Sequence, residues 1–412
     1  MYSLCLQVYV WLFHLTALFH AKARKMVVGQ REAFDRLEKL HAAPGEYIWF
    51  HAASLGEFEQ GRPLIEAIKR EHPSQKILVS FYSPSGYEVR QDYQGADMVC
   101  YLPFDLRRNV RRFLDLLQPK AVFFIKYEFW PNYLKALHRR RVPVYLISGI
   151  FRPTQTFFKP WGGFYRYLLG LFSQFFVQNT ESEQLLKKVG LADRVLMTGD
   201  TRCDRVLQVA AQKKGIIGMS DFLPEGKPAA PVLVAGSTWP RDEELIIPWF
   251  NEHPDVKLIL APHQVNENHL AYIESLLERP FVRYSQLSQS SKHQADCLII
   301  DCYGLLSSLY GYGSMAYVGG GFGVGIHNTL EAAVYQIPVV FGPNYQKFDE
   351  AKAMLSQGGA FSIADGEQLA SLLNSWLISP EKCRQAGRAA GNYVQQNSGS
   401  TERILAALSQ KL

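Results

Sequence analysis

Residues 316–331 read Ala-Tyr-Val-Gly-Gly-Gly-Phe-Gly-Val-Gly-Ile-His-Asn-Thr-Leu-Glu: an apolar run, a glycine-rich loop, then the polar opening of a helix. The run 316–319 has the length of a buried strand. Glycines let a backbone approach a phosphate closely, and the amide groups that open a helix favour an anion. The loop has no Gly-Lys-Ser/Thr, so it is not a Walker loop. It stands late in the chain, where a dinucleotide fingerprint would open a domain. Asn328 and Glu331 are also spaced as a helix cap, so nucleotide binding and plain capping both stand.

Outward from this loop, short apolar runs recur at 231–236, 256–261, 298–301 and 338–342. Before them lie 47–53, 76–82, 97–101, 121–125, 142–148 and 175–178, separated by amphipathic stretches such as 63–70 and 110–117. Continuous apolar runs alternating with amphipathic segments predict parallel sheets covered by helices. The pattern pauses at 210–230, which holds Lys213, Lys214, Gly215, Pro224, Gly226 and Pro228. The expected organisation is an α/β domain over 22–209, a linker over 210–230 and a second α/β domain over 231–412. Both are doubly wound and face a cleft. No repeat of a solenoid kind is present.

Residues 1–20 contain no Lys, Arg, Asp or Glu, and Lys22, Arg24, Lys25 and Arg31 follow. A helix of that length matches a bilayer core, and the cations after it place the rest of the chain on the cytoplasmic side. Residues 1–21 are therefore expected to be a membrane anchor. His14, Thr16 and His20 dilute the run, which leaves open a helix lying in the interface. Ala21-Lys22-Ala23 has the shape of a cleavage site, but no basic region precedes it.

Charge is uneven. Residues 21–205 carry 29 Lys and Arg against 19 Asp and Glu, whereas 206–412 carry 15 against 19. A basic first half suits an anionic partner, and no nucleic-acid reader motif is present, which favours an anionic membrane surface. The stretch 151–176 interleaves aromatic residues with Arg152, Lys159 and Arg166, as interfacial segments do; a buried helix and strand is the alternative. The six cysteines are scattered without a C-x-x-C pair, which speaks for packed thiols rather than a metal or disulfide framework.

Strand-to-helix loops are where an α/β fold binds ligands. After the first run comes His51-Ala52-Ala53-Ser54-Leu55-Gly56-Glu57. Ser54 and Glu57 are spaced as a capping box, and Glu57 is equally a candidate general base whose pKa a helix start would lower. After 121–125 comes Lys126-Tyr127-Glu128-Phe129-Trp130-Pro131-Asn132, with Pro131 placed to begin a helix. Glu128 is a second candidate, or a partner for Lys126 or an arginine of 139–141, and the aromatic residues beside it suit a core or a stack on a sugar ring. Thr198-Gly199-Asp200-Thr201-Arg202-Cys203-Asp204 offers Arg202 to a phosphate or carboxylate, or to Asp200 or Asp204 as a salt bridge. Ala261-Pro262-His263-Gln264 and Asp301-Cys302-Tyr303-Gly304-Leu305 end strands of the second domain.

Taken together, these ordered motifs resemble the Kdo (3-deoxy-D-manno-octulosonic acid) transferase family of lipopolysaccharide biosynthesis over nearly the whole chain. The resemblance implies a GT-B architecture of two Rossmann-like domains, CMP-Kdo as donor and a tetra-acylated lipid A precursor as acceptor. It implies work at the cytoplasmic face of the inner membrane. Glu57 then matches the base that deprotonates the acceptor 6′-hydroxyl, and Glu128 and Arg202 match positions that stabilise the transition state. Pro262, His263, Tyr303, Gly304, Leu305, Asn328, Thr329, Leu330 and Glu331 match loops that contact CMP. No bound metal or other cofactor is expected, since no D-x-D element is present. Three departures stand out: Arg202 replaces the usual Lys, Pro262-His263-Gln264 replaces Pro-Arg-His, and Gly304-Leu305 replaces Gly-Glu. A nucleotide-sugar epimerase on the same fold is the competing reading.

Overall fold

The computed structural model describes residues 2–40, 43, 45–212, 215–223, 230–287 and 295–409. By packing, the chain divides into a first unit, residues 1–205 with 398–412, and a second unit, 206–397.

The first unit holds a seven-stranded sheet: β1 (Tyr47–Ala52), β2 (Lys76–Phe81), β3 (Met98–Tyr101), β4 (Ala121–Ile125), β5 (Val144–Gly149), β6 (Gln174–Val177) and β7 (Val195–Met197). Its order is β3-β2-β1-β4-β5-β6-β7, with every pairing parallel. Each residue of β1 and β4 is buried, which is why both read as unbroken apolar runs rather than alternating ones. Phe50 and Phe123 lie opposite each other in the register and stack at 4.6 Å.

The second unit repeats the plan with β8 (Val232–Thr238), β9 (Lys257–Pro262), β10 (Phe281–Arg283), β11 (Cys297–Ile299), β12 (Met315–Val318), β13 (Val339–Phe341) and β14 (Ala360–Ser362). The order is β10-β11-β9-β8-β12-β13-β14, again all parallel. Strand order reverses between β1 and β4 in the first unit and between β8 and β12 in the second. A doubly wound sheet opens a crevice at the carboxyl ends of such strands. Glu57 follows β1 and Glu128 follows β4; the glycine loop follows β12.

Two expectations need correction. The segment expected to close the second domain instead packs on the first. Helix Ser400–Leu408 buries Ile404 and Leu408 among Ile48, Phe50 and Ile68. Asp204 accepts from the Gly399 and Thr401 amides at 2.6 and 2.7 Å, and Arg403 donates to the Thr198 carbonyl. The expected linker is also partly packed: Ile216, Met219 and Phe222 are buried. Lys213, Lys214, Pro224, Gly226 and Pro228 lie outside the described residues.

Two helices precede β1. Helix α1 (Tyr2–Phe19) is long and apolar enough to cross a membrane, and only Val10 and Ala17 of it are buried. Helix α2 (Ala21–Leu40) packs Ala33, Phe34 and Leu37 into the core of the first unit. The chain turns between them at His20, where Arg24 donates to the carbonyls of Ala17 and Leu18.

Candidate active site

Ser54 caps helix Leu55–Glu71, its Oγ accepting from the Glu57 amide at 3.4 Å. The Glu57 side chain folds back, and Oε2 accepts from the Ala53 amide at 2.7 Å. The Ser54 cap is therefore realised, but the return bond of a capping box goes to the Ala53 amide rather than to that of Ser54, and it occupies only one carboxylate oxygen; no hydrogen bond to Oε1 is found among the described residues. The expected lowering of the Glu57 pKa is not. Burial raises it, and the nearby Glu128 charge raises it further, against smaller opposing pulls from the Ala53 amide, Lys126 and His51. Desolvation outweighs a helix start that is itself half-buried.

Glu128 is buried at 7% exposure, and its partners are not the ones expected. Its Oε2 accepts from Trp130 Nε1 at 2.6 Å and lies 3.1 Å from His51 Nε2. Arg140, one candidate partner, holds Asp115 instead. His51 Nδ1 sits 2.8 Å from Ser80 Oγ and 3.0 Å from the Ser80 carbonyl, and Trp49 Nε1 donates to Ser80 Oγ at 2.7 Å. One arrangement satisfies this row in a single direction. Trp49 donates to Ser80, Ser80 to His51, and His51 to the Glu128 carboxylate, which Trp130 also serves. Unpaired, a carboxylate this deep would be costly; two donors, the Trp130 indole and the His51 imidazole, hold it. Lys126, at the end of β4, takes a left-handed backbone conformation at φ 69°, an uncommon state for a side-chain-bearing residue.

The structure thus brings Glu57 and Glu128 together across the β1/β4 switch point. Arg202 stands at the start of helix Thr201–Ala211, and its Nε and guanidinium NH2 hold Asp200 at 2.9 and 2.6 Å. Asp204 serves the C-terminal helix.

The second unit gathers a different set. Trp239 follows β8, His263 follows β9 and His327 lies in the glycine loop. The Trp239 and His263 rings stack at 4.7 Å, and His263 and His327 lie 4.5 Å apart. Burial lowers both imidazoles; for His327, with His263 beside it, the pKa falls to about 4. Asp242 clamps the loop by accepting from the amides of Gly320 and Trp239 and from the Tyr317 hydroxyl. Glu243 receives Thr238 and His269, both at 2.8 Å.

Here the glycines have a double cause. A side chain at Gly319 would sit 2.2 Å from the Ser237 carbonyl, and one at Gly321 would sit 2.5 Å from the Gly342 amide. At those positions the close approach is to the protein's own backbone. Gly320, at φ 91°, needs its glycine for conformation. The helix after the loop is also shorter than expected: Leu330–Ala333 is a single turn, too short to offer the helix-end anion site the sequence suggested. Asn328 Oδ1 caps the Leu330 amide, while its Nδ2 donates to Glu331 Oε1 at 3.0 Å. Ser307 donates to Glu331 Oε2 at 2.6 Å and so ties the loop after β11 to the glycine loop. Thr329 and Leu330 are fully buried, and Tyr303 is largely exposed, with its hydroxyl on the Val265 amide. Gly304 is left-handed at φ 94°, and Leu305 leads into the short helix Leu306–Leu309.

A family model described as 3-deoxy-D-manno-octulosonic-acid transferase (kdotransferase) matches residues 28–205, ending where the first unit's main stretch ends. The 3-deoxy-D-manno-octulosonic acid transferase of Aquifex aeolicus is 29% identical over 345 residues, covering 81% of this chain and 87% of its own. That of Rickettsia felis is 27% identical, covering 89% and 79%.

Over residues 28–205 the chain matches the Kdo transferase family model, and its likeness to these transferases runs over most of its length.

Those relatives are glycosyltransferases. The fold has solved counterparts at low identity. The Neisseria meningitidis UDP-GlcNAc 2-epimerase superposes with a TM-score of 0.65 at 16% identity, over 89% of this chain and all of that one. A Listeria monocytogenes protein described as a putative UDP-N-acetylglucosamine 2-epimerase gives 0.63 at 14%, covering 89% and 96%. These likenesses concern the fold alone.

Sequence reasoning quoted His51, Trp130 and His327 within candidate loops but gave the two histidines no role, and it did not single out Ser80, Trp239 or Asp242. The available signal was a histidine inside an otherwise apolar, fully buried strand.

Proposed function

We propose that this chain is a Kdo transferase that moves Kdo from CMP-Kdo to the 6′-hydroxyl of a tetra-acylated lipid A precursor, with Glu57 as general base. The observation that carries the reading is the pairing of Glu57 with a buried, donor-held Glu128 across the β1/β4 switch point. In the step, the acceptor oxygen forms a bond to the anomeric carbon of Kdo and its proton passes to Glu57. The bond from that carbon to the CMP phosphate breaks, and CMP keeps the electron pair. A base with a raised pKa is the better proton acceptor, provided the working pH keeps it ionised. Glu128 supplies that raising charge and offsets positive charge on the reacting sugar. Arg202 is assigned to the departing or transition-state charge; its engagement with Asp200 argues that the two act as a unit.

CMP is assigned to the second unit, at the β8/β12 switch point. Asn328 and Glu331 supply polar groups there, and Gly304, Leu305, Thr329 and Leu330 meet the ligand through their backbone. Pro262 and His263 flank the loop, with His263 and His327 placed to meet phosphate as neutral hydrogen-bonding imidazoles, without the charge that a guanidinium brings in the usual Pro-Arg-His. The partners are CMP-Kdo, the lipid A precursor and the anionic inner-membrane surface at its cytoplasmic face.

For that surface the first unit offers exposed Trp161, Phe164, Tyr165 and Tyr167, with Lys135 within 5.3 and 5.6 Å of the Phe164 and Tyr167 rings. Two of the cations expected there have structural work. Arg166 donates to the carbonyls of Phe157, Lys159 and Pro160, and Arg152 donates to the Tyr127 hydroxyl. Lys135 and Lys159 are the better lipid contacts.

Incubating the full-length protein with CMP-Kdo and a defined tetra-acylated acceptor, then weighing the product, tests the reading. The expected result is an acceptor heavier by Kdo, with CMP released. Epimerisation of a UDP-sugar with no glycolipid formed overturns it.

A further inference from the structure

Helix α1 reaches the Glu128 loop at two points, a connection that an anchor does not need. The Tyr2 hydroxyl donates to Asp105 Oδ2 at 2.8 Å. Asp105 is fully buried, and the same carboxylate accepts the Asn132 and Tyr133 amides, each at 2.9 Å. Those amides open helix Pro131–Arg139, which begins directly after the Glu128 loop. The second connection runs through rings. The Tyr9 hydroxyl neighbours that of Tyr82, the Tyr82 ring lies 5.2 Å from that of Trp130, and Trp130 Nε1 donates to Glu128. Phe13 and Tyr9 also pack edge-on against Phe104, at 5.2 and 6.5 Å.

These contacts span residues 2 to 13, about 17 Å of helix at 1.5 Å per residue. A helix that crossed a bilayer upright would leave the protein body within a turn or two. This one lies along it, with Tyr2, Val10, Phe13 and Ala17 inward. The opposite face carries Leu4, Val8, Trp11, Leu12, Leu15 and Leu18, all exposed. An unbroken apolar face beside an inward face spoken for by protein suits a helix bedded in the lipid surface, parallel to it.

We propose that α1 is a positioning element of the active site, with Tyr2 and Tyr9 as positioning residues that hold the Glu128 loop while the bilayer surface seats the other face. Bedding of the helix in lipid and order in the Glu128 loop are then one equilibrium. This deepens the transferase reading and rests on it for its activity arm only.

The test uses the full-length chain with Tyr2→Phe and Tyr9→Phe combined, which keeps both rings and removes only the hydroxyls. In detergent with solubilised acceptor, where anchoring is irrelevant, kcat should fall on the order of tenfold, short of the roughly 10²-fold a 1 Å misplacement can cost. KM for CMP-Kdo should stay put. Hydrogen exchange at the Asn132 and Tyr133 amides should quicken in the same variant. Adding phosphatidylethanolamine–phosphatidylglycerol vesicles should slow that exchange in the wild type and much less in the variant. A second variant, Trp11→Ser with Leu15→Ser, should weaken vesicle co-sedimentation while exchange at those amides, without vesicles, stays at the wild-type rate. Wild-type exchange at 132 and 133 in the double tyrosine variant overturns the proposal, whatever the activity shows. Absence of Kdo transfer in the wild type would overturn the transferase reading instead, and the exchange comparison would still decide the coupling.

Discussion

The two switch points of this chain both lie beside the first strand of an all-parallel seven-stranded sheet, yet they hold opposite chemistry. At β1/β4 the loops present two carboxylates, one of them buried and fed by a row of donors from Trp49 to His51. At β8/β12 they present glycines, two imidazoles with lowered pKa and a tryptophan, and the carboxylates there, Asp242 and Glu243, face inward as clamps. The backbone plan sets where a ligand can sit; the few residues after each strand set what can happen to it. On the proposed reading the first crevice takes a proton and the second holds an anion.

The sharpest way to break this contrast is Glu57→Gln. Loss of a general base lowers turnover roughly 10²–10⁴-fold. CMP affinity, measured by calorimetry, should be unaffected. A variant that keeps its turnover but melts earlier would return Glu57 to a helix cap.

A smaller effect is expected from Asp242→Ala in the other crevice. It frees the Gly320 and Trp239 amides and the Tyr317 hydroxyl, and unpaired buried groups cost about 1–3 kcal/mol each. CMP binding should weaken at least about tenfold and stability should drop. Exchange protection at Ala53 and Glu57 should not change. Equal disturbance in both units would blur the distinction drawn above.

The third effect is on stability against pH. His327 titrates near 4 in the folded chain against 6.5 for an unperturbed histidine, so below 6.5 the unfolded chain binds the extra proton first. The contribution of neutral His327 is complete above 6.5 and is lost as pH falls toward 4. Melting temperature should therefore fall over that window, and His327→Gln should flatten the slope. The smallest expected effect is that of EDTA, which should leave the transfer rate unchanged; loss restored by magnesium would contradict the metal-free expectation.

Much of the fold was legible because buried parallel strands are continuous apolar runs. Residues 47–53 and 121–125 announce β1 and β4 almost to the residue. The strands that escaped, β7, β10 and β14, are three residues long, stand at or near sheet edges and are partly exposed, so they carry neither length nor burial as a signal. Helix Ser400–Leu408 was assigned to the wrong unit because an amphipathic helix states only that it has a partner, and Asp204, its cap, lies almost two hundred residues away. Glu57 and Glu128 were found as loop carboxylates. Their mutual effect was not, since it depends on His51 and Trp130 fixing Glu128 in place. The glycine loop shows the opposite error, because part of its composition answers to Ser237 and Gly342 rather than to a ligand.

The central claim is that the carboxylate pair is a tuned base, and the pH dependence of kcat/KM in Glu128→Gln tests it most directly. Glu57 must be ionised to accept a proton, so activity rises with pH through its raised pKa. Removing the Glu128 charge removes the second cause of that raising and leaves burial, the first. The acid limb of the profile should therefore move to lower pH, though not to that of a free carboxylate. An acid limb that stays where the wild type has it would contradict the account.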